Sequence, residues 1–358
     1  MIPDSRYFKR VFSLQALFFV LLVLTGSATP HFEPVPIASL ILKKNPLGDP
    51  FERRLAVFRP EKIPVGAKVS TVYYLPGYGG SSEDFLGAWG GRFSEMLQAL
   101  ADAGIPLQVI VVDCRNRWGG SQYINSTAQG NYADYFLDEI VPLVEKRFGA
   151  PSSPLGRILA GHSSGGFGAL RLAMMRPDAF GAVVALSPDT DFEITHRDLA
   201  ERGSRHVSTR QLEGYKAPID MMIAPSDGLV QLMLGLSAAY APRGADYPGD
   251  FDWLYGPDGR WREDVWKRWL QADPVVIARE NPRVFLPNQR IYLDGAEFDS
   301  FGAQKGAPVL RDLIKGHTQV EFFQSPGGHS DFIESRFARG IEWVFGGPPR
   351  SVSSSSSR

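Results

Sequence analysis

The chain has 358 residues, a length that suits one large α/β domain or two small ones. Its 38 basic and 39 acidic residues nearly balance, which gives no electrostatic reason to expect nucleic acid or an anionic membrane surface as a partner. The single cysteine, Cys114, excludes an intrachain disulfide framework and a cysteine-based zinc site.

The N-terminus has the pattern of a secretory signal peptide. Arg6, Lys9 and Arg10 precede an apolar run over residues 11–24, and small residues follow as far as Ala28. We therefore expect residues 1–28 to be removed and the mature protein to be secreted or periplasmic. The alternative is an uncleaved membrane anchor, for which a run of 14 residues is short.

Apolar runs alternate with amphipathic stretches through the middle of the chain. They predict strands at 72–75, 107–112, 157–160, 182–186, 291–293 and 320–323, and helices at 93–103, 132–148 (kinked at Pro142), from the turn after 160 to 176, and at 331–344. This alternation favours an α/β fold with a mostly parallel central sheet and helices on both faces. Reactive groups in such sheets lie on loops beyond the carboxyl ends of the strands.

Two segments depart from that alternation. Residues 191–287, rich in Trp, Pro, Gly and Asp, are expected to form an insertion over the active-site face within one domain of residues 29–347. Its Val265, Trp266, Trp269 and Leu270 share one helical face and are expected to be core. Residues 348–358 are a serine-rich, low-complexity tail.

The motif Gly161-His162-Ser163-Ser164-Gly165 marks the predicted nucleophile, Ser163. Its glycines permit a sharp turn from strand to helix, which strains the serine backbone and exposes its hydroxyl. Ser164 lies one step past the apex, and His162 is expected to point away and serve in packing.

A base is expected C-terminal to the serine, and His329 is the best placed. It follows the last strong strand in a glycine-rich loop, from which its ring can reach back over the sheet. His317 would sit at the wrong end of that strand. His196 and His206 fall in the insertion and could at most line a pocket.

The acid is expected after the strand 291–293, where three carboxylates compete. Asp299 is farthest along the loop and best placed to orient the base. Glu297 is the rival, and Asp294 is expected to cap the end of the strand.

Acyl transfer also needs two N–H donors for the developing oxyanion. We expect them to be the backbone amides of Ser164 and Tyr78, the latter within Pro76-Gly77-Tyr78-Gly79-Gly80. Trp118, which also follows a strand, is a candidate substrate-binding residue.

Five passages together resemble the esterase D family of α/β-hydrolases, which includes S-formylglutathione hydrolases, feruloyl and siderophore esterases, and mycolyltransferases. They are 74–80, 132–148, 161–166, 299–302 and 327–330. The resemblance implies an α/β-hydrolase fold and a Ser163–His329–Asp299 triad. Two departures are a loop one residue longer before Asp299, which keeps Glu297 in contention, and Pro76 where many relatives have histidine.

The expected function is a secreted serine carboxylic-ester hydrolase that acts through an acyl-enzyme on a small-molecule or glycan ester. No metal, cofactor or nucleic acid is expected to bind. After cleavage of the signal peptide no membrane span is expected, and the sequence does not indicate the oligomeric state. The alternatives are an acyltransferase with a sugar or other alcohol as acceptor, a peptidase, and a non-catalytic binding protein on the same fold.

Overall fold

The computed structural model describes residues 31–346, apart from 62, 64, 67, 150, 152, 207–227 and 247–248. The predicted signal peptide (1–28) and the serine-rich tail (348–358) lie outside the described residues. No helix in the described part of the chain is long and apolar enough to cross a membrane.

Eight strands form one sheet in the order β1-β2-β4-β3-β5-β6-β7-β8. They are β1 (Glu33–Ala38), β2 (Glu52–Phe58), β3 (Ser70–Leu75), β4 (Leu107–Val111), β5 (Arg157–His162), β6 (Ala182–Leu186), β7 (Arg290–Phe298) and β8 (Gln319–Gly328). β2 runs antiparallel to both of its neighbours, and all the other pairs are parallel. A separate hairpin pairs Asn125–Ser126 with Gly130–Asn131.

The described helices alternate with these strands. They are α1 (Ser82–Leu86), α2 (Gly90–Asp102), α3 (Tyr132–Asp134), α4 (Val141–Phe148), α5 (Ser164–Met175), α6 (Phe192–Thr195), α7 (Arg197–His206), α8 (Gly228–Tyr240), α9 (Glu263–Leu270), α10 (Pro274–Glu280), α11 (Ala303–Ile314) and α12 (Ile333–Val344). Short 3₁₀ turns cover Leu42–Lys44 and Pro154–Gly156. The predicted mostly parallel α/β architecture is confirmed.

The predicted kinked helix over 132–148 is three helical segments. A π-helix (Tyr135–Ile140) joins α3 to α4, and the Val141 amide donates to the Phe136 carbonyl, five residues back. Pro142 lies in the first turn of α4, directly after the π-helix. The predicted kink site at Pro142 thus coincides with a change from π-helical to α-helical hydrogen bonding.

The apolar core lies on both faces of the sheet. Along β3, Val72 and Tyr74 face one cluster while Tyr73 and Leu75 face the other, as the alternation of a strand requires. Apolar side chains cover both faces of the sheet. Functional groups are therefore expected at the carboxyl ends of its strands.

A third apolar cluster belongs to the segment 191–287. Val265, Trp266 and Trp269 are fully buried there, which agrees with their prediction as core. Phe167, from the helix that follows the nucleophile motif, packs into the same cluster. This contact anchors the insertion beside the carboxyl edge of β5.

Candidate active site

Ser163 occupies the turn between β5 and α5 with a strained backbone, φ 57° and ψ −126°. The flanking glycines make this turn possible. A Cβ at Gly161 would lie 2.3 Å from the Gly165 carbonyl oxygen, and one at Gly165 would lie 1.8 Å from that of Leu75. No other residue fits at either position without moving β3.

His329 and Asp299 are brought together from the ends of β8 and β7. His329 Nδ1 lies 2.8 Å from Asp299 Oδ2, and the Asp299 side chain is completely buried. Burial raises the pKa of Asp299, but hydrogen bonds from His329, from Ser187 and from the Phe301 amide outweigh it and hold the pKa below its usual value. Asp299 is therefore held ionised against the ring nitrogen that faces it.

The competing carboxylates lie elsewhere. Glu297 is exposed near the end of β7. Asp294 does not cap the strand end as expected, because β7 continues to Phe298 and Asp294 lies in its middle. It is fully buried and forms an ion pair with Arg336 at 2.5 Å.

The structure also gives the positions of two of the other histidines considered as the base. His317 precedes β8 and so lies at the amino edge of the sheet, opposite Ser163. His196 lines the same cavity as Ser163. The side chain of His206 lies outside the described residues.

Arg336, on α12, contacts residues that position both His329 and Asp299. The sequence analysis did not identify it as a residue of the site. It is fully buried and donates through Nη1 to the His329 carbonyl oxygen at 3.0 Å and through Nη2 to Ser187 Oγ at 2.5 Å. Ser187 in turn hydrogen-bonds to Asp299. The available signal was an arginine on the apolar stripe formed by Ile333, Phe337 and Ile341.

His162 does not point away but lies against the candidate base. Its ring centroid is 4.7 Å from that of His329, and its Nε2 lies 2.8 Å from the His329 carbonyl oxygen. Burial lowers the pKa of His162 to about 3, with the nearby His329 and Arg336 adding to the effect. A neutral His162 must carry its proton on Nε2 to make this bond, which fixes its tautomer.

The loop after β3 also lies close to Ser163. A Cβ at Gly77 would lie 3.4 Å from Ser163 Cβ. The Gly79 and Gly80 amides donate to carbonyls, but no hydrogen bond among the described residues uses the Tyr78 amide. Ser164 is the first residue of α5, so its amide has no intrahelical acceptor. Both predicted donors are thus available for a ligand.

Ser163, His329, Ser164 and Tyr78 all line one cavity of about 460 Å³. Trp118 is not among its lining residues, so the structure does not bring this candidate to the site. Its side chain packs against the insertion cluster, and its carbonyl oxygen accepts a hydrogen bond from the Tyr78 hydroxyl. Trp118 thus contacts the loop after β3 rather than the cavity.

The chain matches a family model, Esterase, described as "Putative esterase", over residues 50–335. This match covers well over half of the chain, so the chain belongs to this esterase family. The mostly parallel sheet described above, with helices on both faces, is the α/β-hydrolase fold. A search of curated proteins found no match.

Solved structures similar to the chain have the same fold at low sequence identity. A substrate-bound fluorophosphonate-binding serine hydrolase, FphF of Staphylococcus aureus, is 15% identical with a TM-score of 0.53, covering 88% of this chain and 99% of that one. An S-formylglutathione hydrolase of Agrobacterium tumefaciens is 18% identical with a TM-score of 0.53, covering 89% and 96%. A CE1 ferulic acid esterase of Anaeromyces mucronatus, in complex with ferulic acid, is 16% identical with a TM-score of 0.52, covering 90% and 93%.

Proposed function

We propose that the protein hydrolyses carboxylic esters through an acyl-enzyme formed on Ser163, with His329 as the base and Asp299 as the carboxylate that orients it. The observation that carries the proposal is the 2.8 Å contact between His329 and a buried Asp299, on the cavity that also exposes the strained Ser163 turn.

In the first step, the Ser163 oxygen attacks the ester carbonyl while His329 takes the hydroxyl proton. The carbonyl oxygen becomes an oxyanion, which the amides of Tyr78 and Ser164 stabilise. The tetrahedral intermediate collapses, the C–O bond to the alcohol breaks, and His329 returns the proton to that alcohol. Water then attacks the acyl-enzyme by the same route and releases the acid.

Asp299 holds the imidazole with its Nδ1 proton facing the carboxylate, which leaves Nε2 free to take the serine proton. The bonds from Arg336 and His162 to the His329 carbonyl fix the loop that carries this ring. The proposed base therefore lies on a loop whose backbone is fixed by two side chains.

Fluorophosphonate labelling tests the nucleophile. We expect the intact mass of the wild type to rise by one phosphonyl group and that of Ser163→Ala to stay unchanged, with ester hydrolysis lost as well. Ser164→Ala is the matched control, since it removes the neighbouring hydroxyl and should still be labelled. Labelling of Ser163→Ala, or loss of labelling only in Ser164→Ala, would refute the assignment.

We also propose that the enzyme is exported, on the basis of the basic and apolar pattern of residues 1–28. An exported chain whose first residue is Thr29 would support this proposal. Retention of the chain inside the cell would refute export, and an intact N-terminus on the exported chain would refute cleavage. Water is proposed as the second acceptor. Formation of an acylated sugar when a sugar is added would instead identify an acyltransferase.

A further inference from the structure

The charged side chains around the catalytic cavity are all acidic. Among the described residues that line it, Asp84 and Asp189 are the carboxylates, and neither lysine nor arginine is present. Asp84 has a structural role, because its Oδ2 accepts the Ser81 amide in the capping box of α1. Asp189 is therefore the carboxylate that remains for a ligand.

Asp189 lies on the loop after β6, next to the nucleophile turn. It is buried, with 7% of its surface exposed, and its Oδ2 accepts a hydrogen bond from Ser164 Oγ at 3.1 Å. Within the described part of the chain, no lysine or arginine forms an ion pair with it. A buried carboxylate without a cation is costly in free energy, so such groups point to a ligand that supplies the cation.

The nearest titratable group, His196, does not supply that charge. Its Nε2 is 3.8 Å from Asp189 Oδ2, too long for a direct hydrogen bond. Its ring stacks on Phe192, and its Nδ1 pairs with Thr195 Oγ1 at 2.8 Å. Burial lowers the pKa of His196, which favours the neutral ring.

The surroundings strengthen any charge interaction at this point. Leu199, Leu232 and Leu236 line the cavity together with His196, and apolar side chains exclude water. Charges attract and repel more strongly where water is excluded than in bulk solvent.

We propose that Asp189, bordered by His196, is a subsite for a protonated amine on the ester substrate. The inference rests on the proposed function. An ammonium group brings the positive charge that Asp189 lacks and three N–H donors for its oxygens. Because Asp189 bonds to Ser164, which adjoins the nucleophile, the amine must lie only a few bonds from the ester carbonyl. The same carboxylate repels substrates that carry a carboxylate at this position.

A panel of four short esters of matched size tests the proposal. One is uncharged, one carries an ammonium group on the acyl part, one carries it on the alcohol part, and one carries a carboxylate. We expect the wild type to show a kcat/KM for one ammonium ester about tenfold or more above that for the carboxylate ester. The better ammonium ester identifies the part of the substrate that reaches Asp189.

Asp189→Asn keeps an acceptor for Ser164 and removes the charge, so the ratio between ammonium and carboxylate esters should fall close to one. Asp198→Asn is the matched control, because it removes an exposed carboxylate from the adjacent insertion, outside the cavity. It should leave the ratio unchanged. A wild type without the preference, or a folded Asp189→Asn variant that keeps it, overturns the proposal.

Binding separates this proposal from the proposed function. The Ser163→Ala variant should bind the preferred ammonium ester about tenfold more tightly than the carboxylate ester in calorimetry, whether or not the wild type turns over either one. Equal binding overturns the amine subsite even if the uncharged ester is hydrolysed. Loss of hydrolysis of every ester, with the binding preference intact, counts against the mechanism alone.

Discussion

The cavity lined by Ser163 and His329 has two unlike sides. On the histidine side, His162, Phe301 and His329 line the cavity, and the buried Asp299 bonds to His329. The polar groups there are bonded to one another or to the buried Arg336. On the insertion side, formed by His196, Leu199, Leu232 and Leu236, the surface is mostly apolar. It adjoins Asp189, which has no lysine or arginine partner among the described residues.

Under the proposed function, the difference separates two tasks. Proton transfer requires a fixed geometry, which the paired groups of the histidine side supply. Substrate selection requires a surface whose shape and charge suit one ligand, and the insertion side supplies that. Changes on the histidine side should therefore affect kcat most, and changes on the insertion side should affect KM and selectivity.

The largest expected effect is that of Asp299→Asn. The amide would hold the wrong tautomer of His329 and lower kcat by about 10⁴-fold, as in other Ser-His-Asp enzymes. Glu297→Gln is the matched control and should stay within about twofold of the wild type, since Glu297 is exposed. Steady-state kinetics on one uncharged ester measures both variants. A larger loss in Glu297→Gln than in Asp299→Asn would contradict the assignment of the acid.

The next effect concerns the insertion side, opposite the histidine side. Leu232→Ala, on the opposite side, removes apolar contact with the substrate and should raise KM by about tenfold while kcat changes little. Leu155→Ala, at an exposed site outside the cavity, is the control and should leave both constants unchanged. If Leu232→Ala lowered kcat and left KM unchanged, the two sides would not divide their tasks as described.

The last expected effect is on stability rather than on catalysis, and it is a pH dependence that comes from His162. Its folded pKa of about 3 lies below the unfolded value of 6.5, so the unfolded chain takes up the proton first. Stability from this group is present above pH 6.5 and is lost as the pH falls toward 3, by roughly 3 kcal/mol between pH 7 and pH 4.

His162→Gln should remove that part of the dependence, because glutamine can donate to the His329 carbonyl without titrating. Urea unfolding at pH 7, 5 and 4 measures the free energy of unfolding of both proteins. Equal slopes against pH in the wild type and the variant would show that His162 is not the group responsible.

Much of the site follows from the sequence because its motifs are local. The glycine spacing around Ser163 and the loop that carries His329 are each set within a few residues, and the strands before them have strong apolar patterns. Asp299 was favoured partly by the family resemblance. The contact that distinguishes it from Glu297 depends on how β7 and β8 pair, which spacing alone does not give.

What the sequence by itself determined was the class of fold, the strained serine turn and the order of the candidate residues, because these depend on short-range backbone sterics and periodicity. Only the tertiary structure decided the pairing of Arg336 with Asp294, the place of His162 against His329, the position of Trp118 outside the cavity and the contact of Asp189 with Ser164, without a lysine or arginine partner among the described residues. Each of these joins residues far apart in the chain, and their contacts arise from the packing of whole elements rather than from any local pattern.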